Sequence, residues 1–70
     1  MKMYVFEDVL TDNTSGMVVV AGETYEDAIE IARDQFGYLI DAEDGWKRPA
    51  VVYLVTGVEA GVKHCVYGGG

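Results

Sequence analysis

The run Thr24-Tyr25-Glu26-Asp27-Ala28-Ile29-Glu30-Ile31-Ala32-Arg33-Asp34-Gln35-Phe36-Gly37 decides how this chain folds. Apolar residues at Tyr25, Ala28, Ile29, Ala32 and Phe36 recur with the spacing of a helix. Thr24, followed by Asp27 three residues later, resembles a capping box in which Asp stands for the usual, longer acid. Gly37 suits the position just past a helix, where a residue without Cβ is favoured. The spacing predicts a helix from Thr24 or Tyr25 to Phe36.

Before the helix, Lys2 to Leu10 is rich in aromatic and β-branched residues and reads as a strand. Thr11-Asp12-Asn13-Thr14-Ser15-Gly16 is a dense cluster of turn formers, and Met17 to Ala21 is a second, almost wholly apolar strand. The two are expected to form a hairpin. After the helix, Tyr38, Leu39 and Ile40 lead into a polar loop, Asp41 to Pro49, that holds Trp46. Ala50 to Thr56 reads as a third strand, Gly57 to Gly61 as a turn, and Val62 to Tyr67 as a fourth strand. Gly68-Gly69-Gly70 is expected to be a flexible tail after a single domain over residues 1–67. The order β-β-α-β-β, with a hairpin on either side of one helix, predicts an α+β domain: a four-stranded, mainly antiparallel sheet with the helix on one face. Strand order is not readable from these residues.

The strands carry more apolar surface than one helix can cover. A sheet with one wet face should alternate apolar and polar residues. Here Tyr4 and Phe6 have one parity and Met3, Val5 and Val9 the other; Val18 and Val20 oppose Met17 and Val19; Val52 and Leu54 oppose Val51, Tyr53 and Val55. Something is expected to cover the second face. The Tyr38 to Arg48 segment, a second copy of the chain, or a partner protein would each do so.

Charge narrows the partner. Of 70 residues, 12 are acidic and 5 basic, for a net charge of −7. Direct binding to nucleic acid or an anionic membrane through such a surface is disfavoured, and a basic protein surface is its natural complement. Glu23, Asp27, Glu30 and Asp34 have the spacing of one helical stripe, with Glu26 beside it. Like charges at this spacing cost a helix a few tenths of a kcal/mol each. Arg33 is the only base on the helix, and Asp41, Glu43 and Asp44 continue the acidic run in the loop beyond. A solvated helix face, there only for solubility, is the plainer explanation of such a run.

The chemistry of catalysis is thin. His64 and Cys65 are adjacent in an expected strand, where neighbours point to opposite faces, so a nucleophile–base pair is disfavoured. One His and one Cys do not complete a zinc site, and no disulfide can form within the chain. Asp41-Ala42-Glu43-Asp44-Gly45 falls short of a calcium loop, because its Gly comes one place early and Val52 stands where the last ligand belongs. No glycine pattern links a strand to a helix as a phosphate cradle would. No enzymatic activity, cofactor or metal is expected. The lone thiol fits a reducing cytoplasm. Met1-Lys2-Met3-Tyr4 runs straight into a strand pattern, so no signal peptide is expected, and Asn13-Thr14-Ser15 is read as a turn.

Tyr4-Val5-Phe6-Glu7-Asp8-Val9-Leu10-Thr11-Asp12, with Thr14-Ser15-Gly16-Met17-Val18-Val19-Val20 and the helix Glu23 to Phe36, resembles small phage- and prophage-encoded proteins. In size, acidity and lack of catalytic groups the chain is similar to the anti-CRISPR inhibitors among them. That resemblance implies action in the cytoplasm of a bacterial host, by mimicry of DNA. Carboxylates of Glu23, Glu26, Asp27, Glu30 and Asp34 would replace phosphates on the Lys/Arg-lined surface of a CRISPR effector, a type I Cascade being favoured. Asp41, Glu43 and Asp44 would extend the footprint, and Tyr4, Phe6 or Trp46 would supply an apolar anchor. Mimicry leads to the expectation of a monomer whose binding weakens with salt. The alternative is a phage accessory or antitoxin-like interaction module that uses the apolar sheet face, as a homodimer or against another protein.

Overall fold

A computed structural model describes residues 1–69. Strands β1 (Lys2–Val9) and β2 (Gly16–Gly22) precede helix α1 (Tyr25–Phe36). A short helix α2 (Leu39–Ala42) and a 3-10 turn (Asp44–Lys47) follow, then β3 (Val51–Leu54) and β4 (Gly61–Val66). The four strands form one antiparallel sheet in the order β3-β1-β2-β4. The expected α+β domain, with its helix on one face, is what the chain adopts.

β1 and β2 form the expected hairpin, with Tyr4 opposite Val20 and Phe6 opposite Val18. The register shifts between Glu7 and Val9, where Asp8 takes a left-handed backbone at φ 57°. Such a bulge adds a residue to one strand and reverses which side the next side chain faces. Val9, assigned by parity to the face of Met3 and Val5, is therefore fully buried in the core with Phe6 and Val18.

The second expected hairpin does not form. β3 pairs with β1 and β4 with β2, so the two lie on opposite edges of the sheet. β3 ends with Leu54 opposite Lys2, and β4 begins with Gly61 opposite Ala21, at the same end of the central hairpin. The connecting residues must cross three strand spacings, about 14 Å, which six linking residues reach easily. Val55 N–H donates to the Met1 carbonyl along that path, at 3.1 Å. The same Gly-rich composition serves a tight hairpin or this crossover equally well.

α1 begins and ends where the sequence predicts. Thr24 Oγ1 accepts from Asp27 N–H at 3.1 Å, satisfying one of the free amides of the first turn. At the other end Gly37 has φ 61°, a conformation that L residues avoid, and its N–H donates to the Arg33 carbonyl at 2.8 Å. Ala28, Ala32 and Phe36 are buried against the sheet. The small Ala side chains let the helix backbone come close to β2.

The aromatic residues hold the segment after the helix on the same side. Trp46 packs with ring centroids 5.2 Å from Phe6 and 5.5 Å from Phe36, and Tyr25 OH donates to the Trp46 carbonyl at 2.8 Å. Tyr38 to Arg48 thus completes the helix-side layer and does not fold across the other face of the sheet. The final glycines are also held: Gly68 N–H donates to the Leu10 carbonyl at 2.9 Å and Gly69 N–H to Thr14 Oγ1 at 3.0 Å. Gly68 lies so close to the first loop that a Cβ there would overlap the Thr14 carbonyl. Of the expected glycine tail, Gly70 lies outside the described residues.

Candidate protein-binding surfaces

The acidic helix face is real but smaller than the sequence predicts. At 100° per residue, Glu26, Asp27, Glu30 and Asp34 fall within an arc of about 100°. That arc lies opposite the buried Ala28, Ala32 and Phe36, so it points directly away from the sheet. All four are exposed, and none makes an ion pair among the described residues. Glu23 precedes the Thr24 cap and is therefore off the helix; its carboxylate lies 3.8 Å from the Met1 amino group.

The loop acids are engaged locally. Asp41 accepts from the Arg33 guanidinium at 2.7 Å, and that hydrogen bond holds the Asp41 carboxyl below the usual aspartate range. The same bond raises the pKa of Arg33. Asp44 pairs with Lys47 at 3.0 Å, which raises the lysine pKa. Each pair is exposed, so water screens it and each carboxylate is only partly neutralised.

Glu43 has a different role from the one its charge suggests. Its Oε1 accepts from Leu10 N–H at 2.9 Å and from Trp46 Nε1–H at 3.1 Å, while Oε2 accepts from Thr11 N–H at 2.9 Å. Burial pushes this carboxyl up, but hydrogen bonds from Thr11, Leu10 and Trp46 outweigh it and leave the pKa lowered. The left-handed backbone of Asp8 and of Leu10, at φ 57° and 52°, turns the end of β1 so that two successive amides face one carboxylate. Glu43 is thus a clamp between the first loop and the 3-10 turn, and its oxygens are not offered to a partner.

Trp46 is not a surface anchor. It is 1% exposed, and Tyr4 and Phe6 are buried with it. The reason is geometric: the 3-10 turn lays the indole over Phe6, a fully buried position of β1, and Glu43 satisfies its N–H in place of water.

The opposite face of the sheet is open. Cross-strand partners share a face, so Met3, Val5, Met17, Val19, Val51, Tyr53 and Val66 stand together on the side away from α1. On that side Tyr53 is 54% and Val66 47% exposed, Met3, Val5, Met17 and Val19 are half-buried, and Ala21, which shares their parity, is fully buried. β3 is the extreme case. The helix lies over β2 and β4, so Leu54 on the helix side is 84% exposed, and the outer backbone edge of β3 pairs with no strand among the described residues. The double-parity pattern foretold apolar excess; the exposed edge needed the strand order and could not be read from the sequence.

His64 and Cys65 lie opposite Val19 and Val18 and therefore on different faces of the sheet. An open cleft of about 550 Å³ lies beside the loop, lined by Glu7, Asp8, Glu43, Asp44 and Arg48 among others. No group of three or more His, Cys, Asp or Glu among the described residues is placed to hold a metal ion. No described helix is long and apolar enough to cross a membrane. Comparison with protein-family models, curated proteins and solved structures finds no match.

Proposed function

We propose that this chain is a non-enzymatic binding domain that sets its acidic helix face against a basic, nucleic-acid-holding surface of another protein. The observation that supports it is the row Glu26, Asp27, Glu30 and Asp34, exposed along the outer side of a well-capped helix with no cation from the described residues bonded to it. Fixed carboxylates on a rigid element imitate a phosphate run without the cost of ordering a flexible segment. Asp41 and Asp44 extend the row if a partner's arginines displace Arg33 and Lys47. With the resemblance to phage-encoded inhibitors, the partner class is the DNA-binding channel of a CRISPR effector, with type I Cascade as the instance favoured, in the cytoplasm of a bacterial host.

The test is a double charge reversal, Glu30→Lys with Asp34→Lys, on immobilised protein exposed to host lysate. Capture of a nucleic-acid-binding protein should be lost in the variant. For the wild type it should fade as salt rises from about 0.05 to about 0.5 M, because screening shortens the reach of exposed charges. Capture by the variant equal to that of the wild type would rule the reading out.

A second reading is favoured by a separate observation, the uncovered sheet face. An interaction module of the accessory or antitoxin-like kind would use Met3, Val5, Met17 and Val19 and be nearly indifferent to salt. The two readings use opposite sides of the molecule and do not exclude each other.

A further inference from the structure

We propose that the open face of the sheet is covered by a second copy of this chain, stacked sheet to sheet about a two-fold axis. The inference rests on the second reading above and names its occupant.

Area comes first. The strands contribute 8, 7, 4 and 6 residues. At strand spacings of about 4.8 Å and a rise of about 3.3 Å per residue, the sheet measures about 400 Å² on a face. Side-chain relief makes the accessible area larger, so two copies bury up to about 1,000 Å² in total, the size of a weak but specific interface. The residues at its centre, Val5 and Val19, are apolar and already half-buried, while Tyr53 and Val66 form an apolar border.

Charge selects the partner. The chain carries a net −7, yet the paired positions of this face hold one carboxylate, Glu7, and one imidazole, His64, with the exposed Lys63 at the register shift beside His64. A basic partner finds its complement on the helix side, not here. An acidic partner is repelled unless its charge lies away from the contact, as it does in a second copy of this chain. A second copy brings an equally neutral face, and stacking places the two helix rows on the outermost sides. With layers about 10 Å apart, those rows are separated by several times the screening length of about 8 Å at physiological salt. Sheets of one twist also stack aligned, so two identical faces are complementary in shape. A 70-residue domain with a modest core gains stability from such association.

The arrangement places an acidic helix on each outer face of the dimer, so mimicry and dimerisation coexist.

Sedimentation equilibrium of the wild type between about 1 and 200 μM tests this, since a weak interface has a dissociation constant of micromolar order. The expected mass is twice the 7.7 kDa of one chain. Val19→Lys, at the centre of the face, should weaken dimerisation at least about a hundredfold, because two charges would be buried unpaired. Tyr53→Lys changes a side chain that is 54% exposed and carries the same test should the first variant fail to fold. Glu30→Lys with Asp34→Lys should leave the dimer intact. A wild-type monomer throughout the range overturns the proposal, as does a dimer untouched by the folded variants. Open-ended oligomers overturn it too, pointing to edge pairing through β3. A monomer whose capture of another protein is lost in Tyr53→Lys removes the second copy while leaving the sheet face as a docking surface.

Discussion

Glu43→Gln isolates what this carboxylate does. The substitution keeps the size and shape of the side chain and removes its charge and one acceptor. A glutamine oxygen can stay on the side of Leu10 N–H and Trp46 Nε1–H, but the amide NH₂ then confronts Thr11 N–H, donor against donor. The flipped amide is worse, since it gives up two bonds, one to the half-buried Leu10 amide. A hydrogen bond to a charged group contributes about 1.5–3 kcal/mol. Solvent near Thr11 screens part of that, while the two surviving bonds weaken as their acceptor becomes neutral. The net cost is about 2 kcal/mol. In a domain of this size that lowers Tm by about 8–16 °C. Urea unfolding followed by circular dichroism should show the midpoint falling with the slope unchanged.

The pH dependence gives an independent check. Glu43 has a lowered pKa in the folded chain, so the unfolded chain binds that proton more tightly. Its contribution is therefore complete above the ordinary glutamate value of about 4.3 and lost as pH falls through the lowered folded value. The gap between wild type and E43Q should narrow over that acidic window. Equal midpoints for the two proteins at pH 7 would refute the clamp.

Trp46 is the only tryptophan, so its emission should be blue-shifted and poorly quenched by iodide, and Trp46→Ala should cost about 3–5 kcal/mol, enough to leave the domain largely unfolded. Thr24→Ala removes the N-cap and should cost about 1 kcal/mol in urea unfolding. Glu30→Lys with Asp34→Lys relieves like-charge repulsion and puts a cation near the helix C-terminus, so Tm should hold or rise slightly; a fall of more than about 1 kcal/mol would show these acids to be structural. Gly68→Ala should lower stability, measured by thermal melting, because the new Cβ would force the Thr14 loop outward.

Much of the fold was legible because the signals were local. Thr24 and Gly37 bracket the helix through contacts within one turn of chain, and the β1–β2 hairpin is set by the turn formers between them. The double-parity apolar pattern correctly announced a face that the helix could not cover. What stayed hidden depends on distant pairings. Nothing in Gly57 to Gly61 distinguishes a hairpin from a crossover, so β3 and β4 were expected side by side when they occupy opposite edges. A bulge at Asp8 requires a non-glycine residue at positive φ, which sequence pattern does not signal, and it alone moves Val9 into the core.

The candidate site followed the same division. Exposure of Glu26, Asp27, Glu30 and Asp34 follows from helical spacing and was readable. The placement of Glu43 and Trp46 was not, because a carboxylate beside a tryptophan in a polar loop looks like an exposed pair. Only the approach of Leu10 and Thr11, more than thirty residues away, turns it into an internal clamp.

Competition by DNA tests the acidic helix row most directly. A partner captured from host lysate on the immobilised wild-type protein should be released by added duplex DNA at constant ionic strength, because both occupy the same basic surface. Retention of the partner at saturating DNA would contradict mimicry by Glu26, Asp27, Glu30 and Asp34.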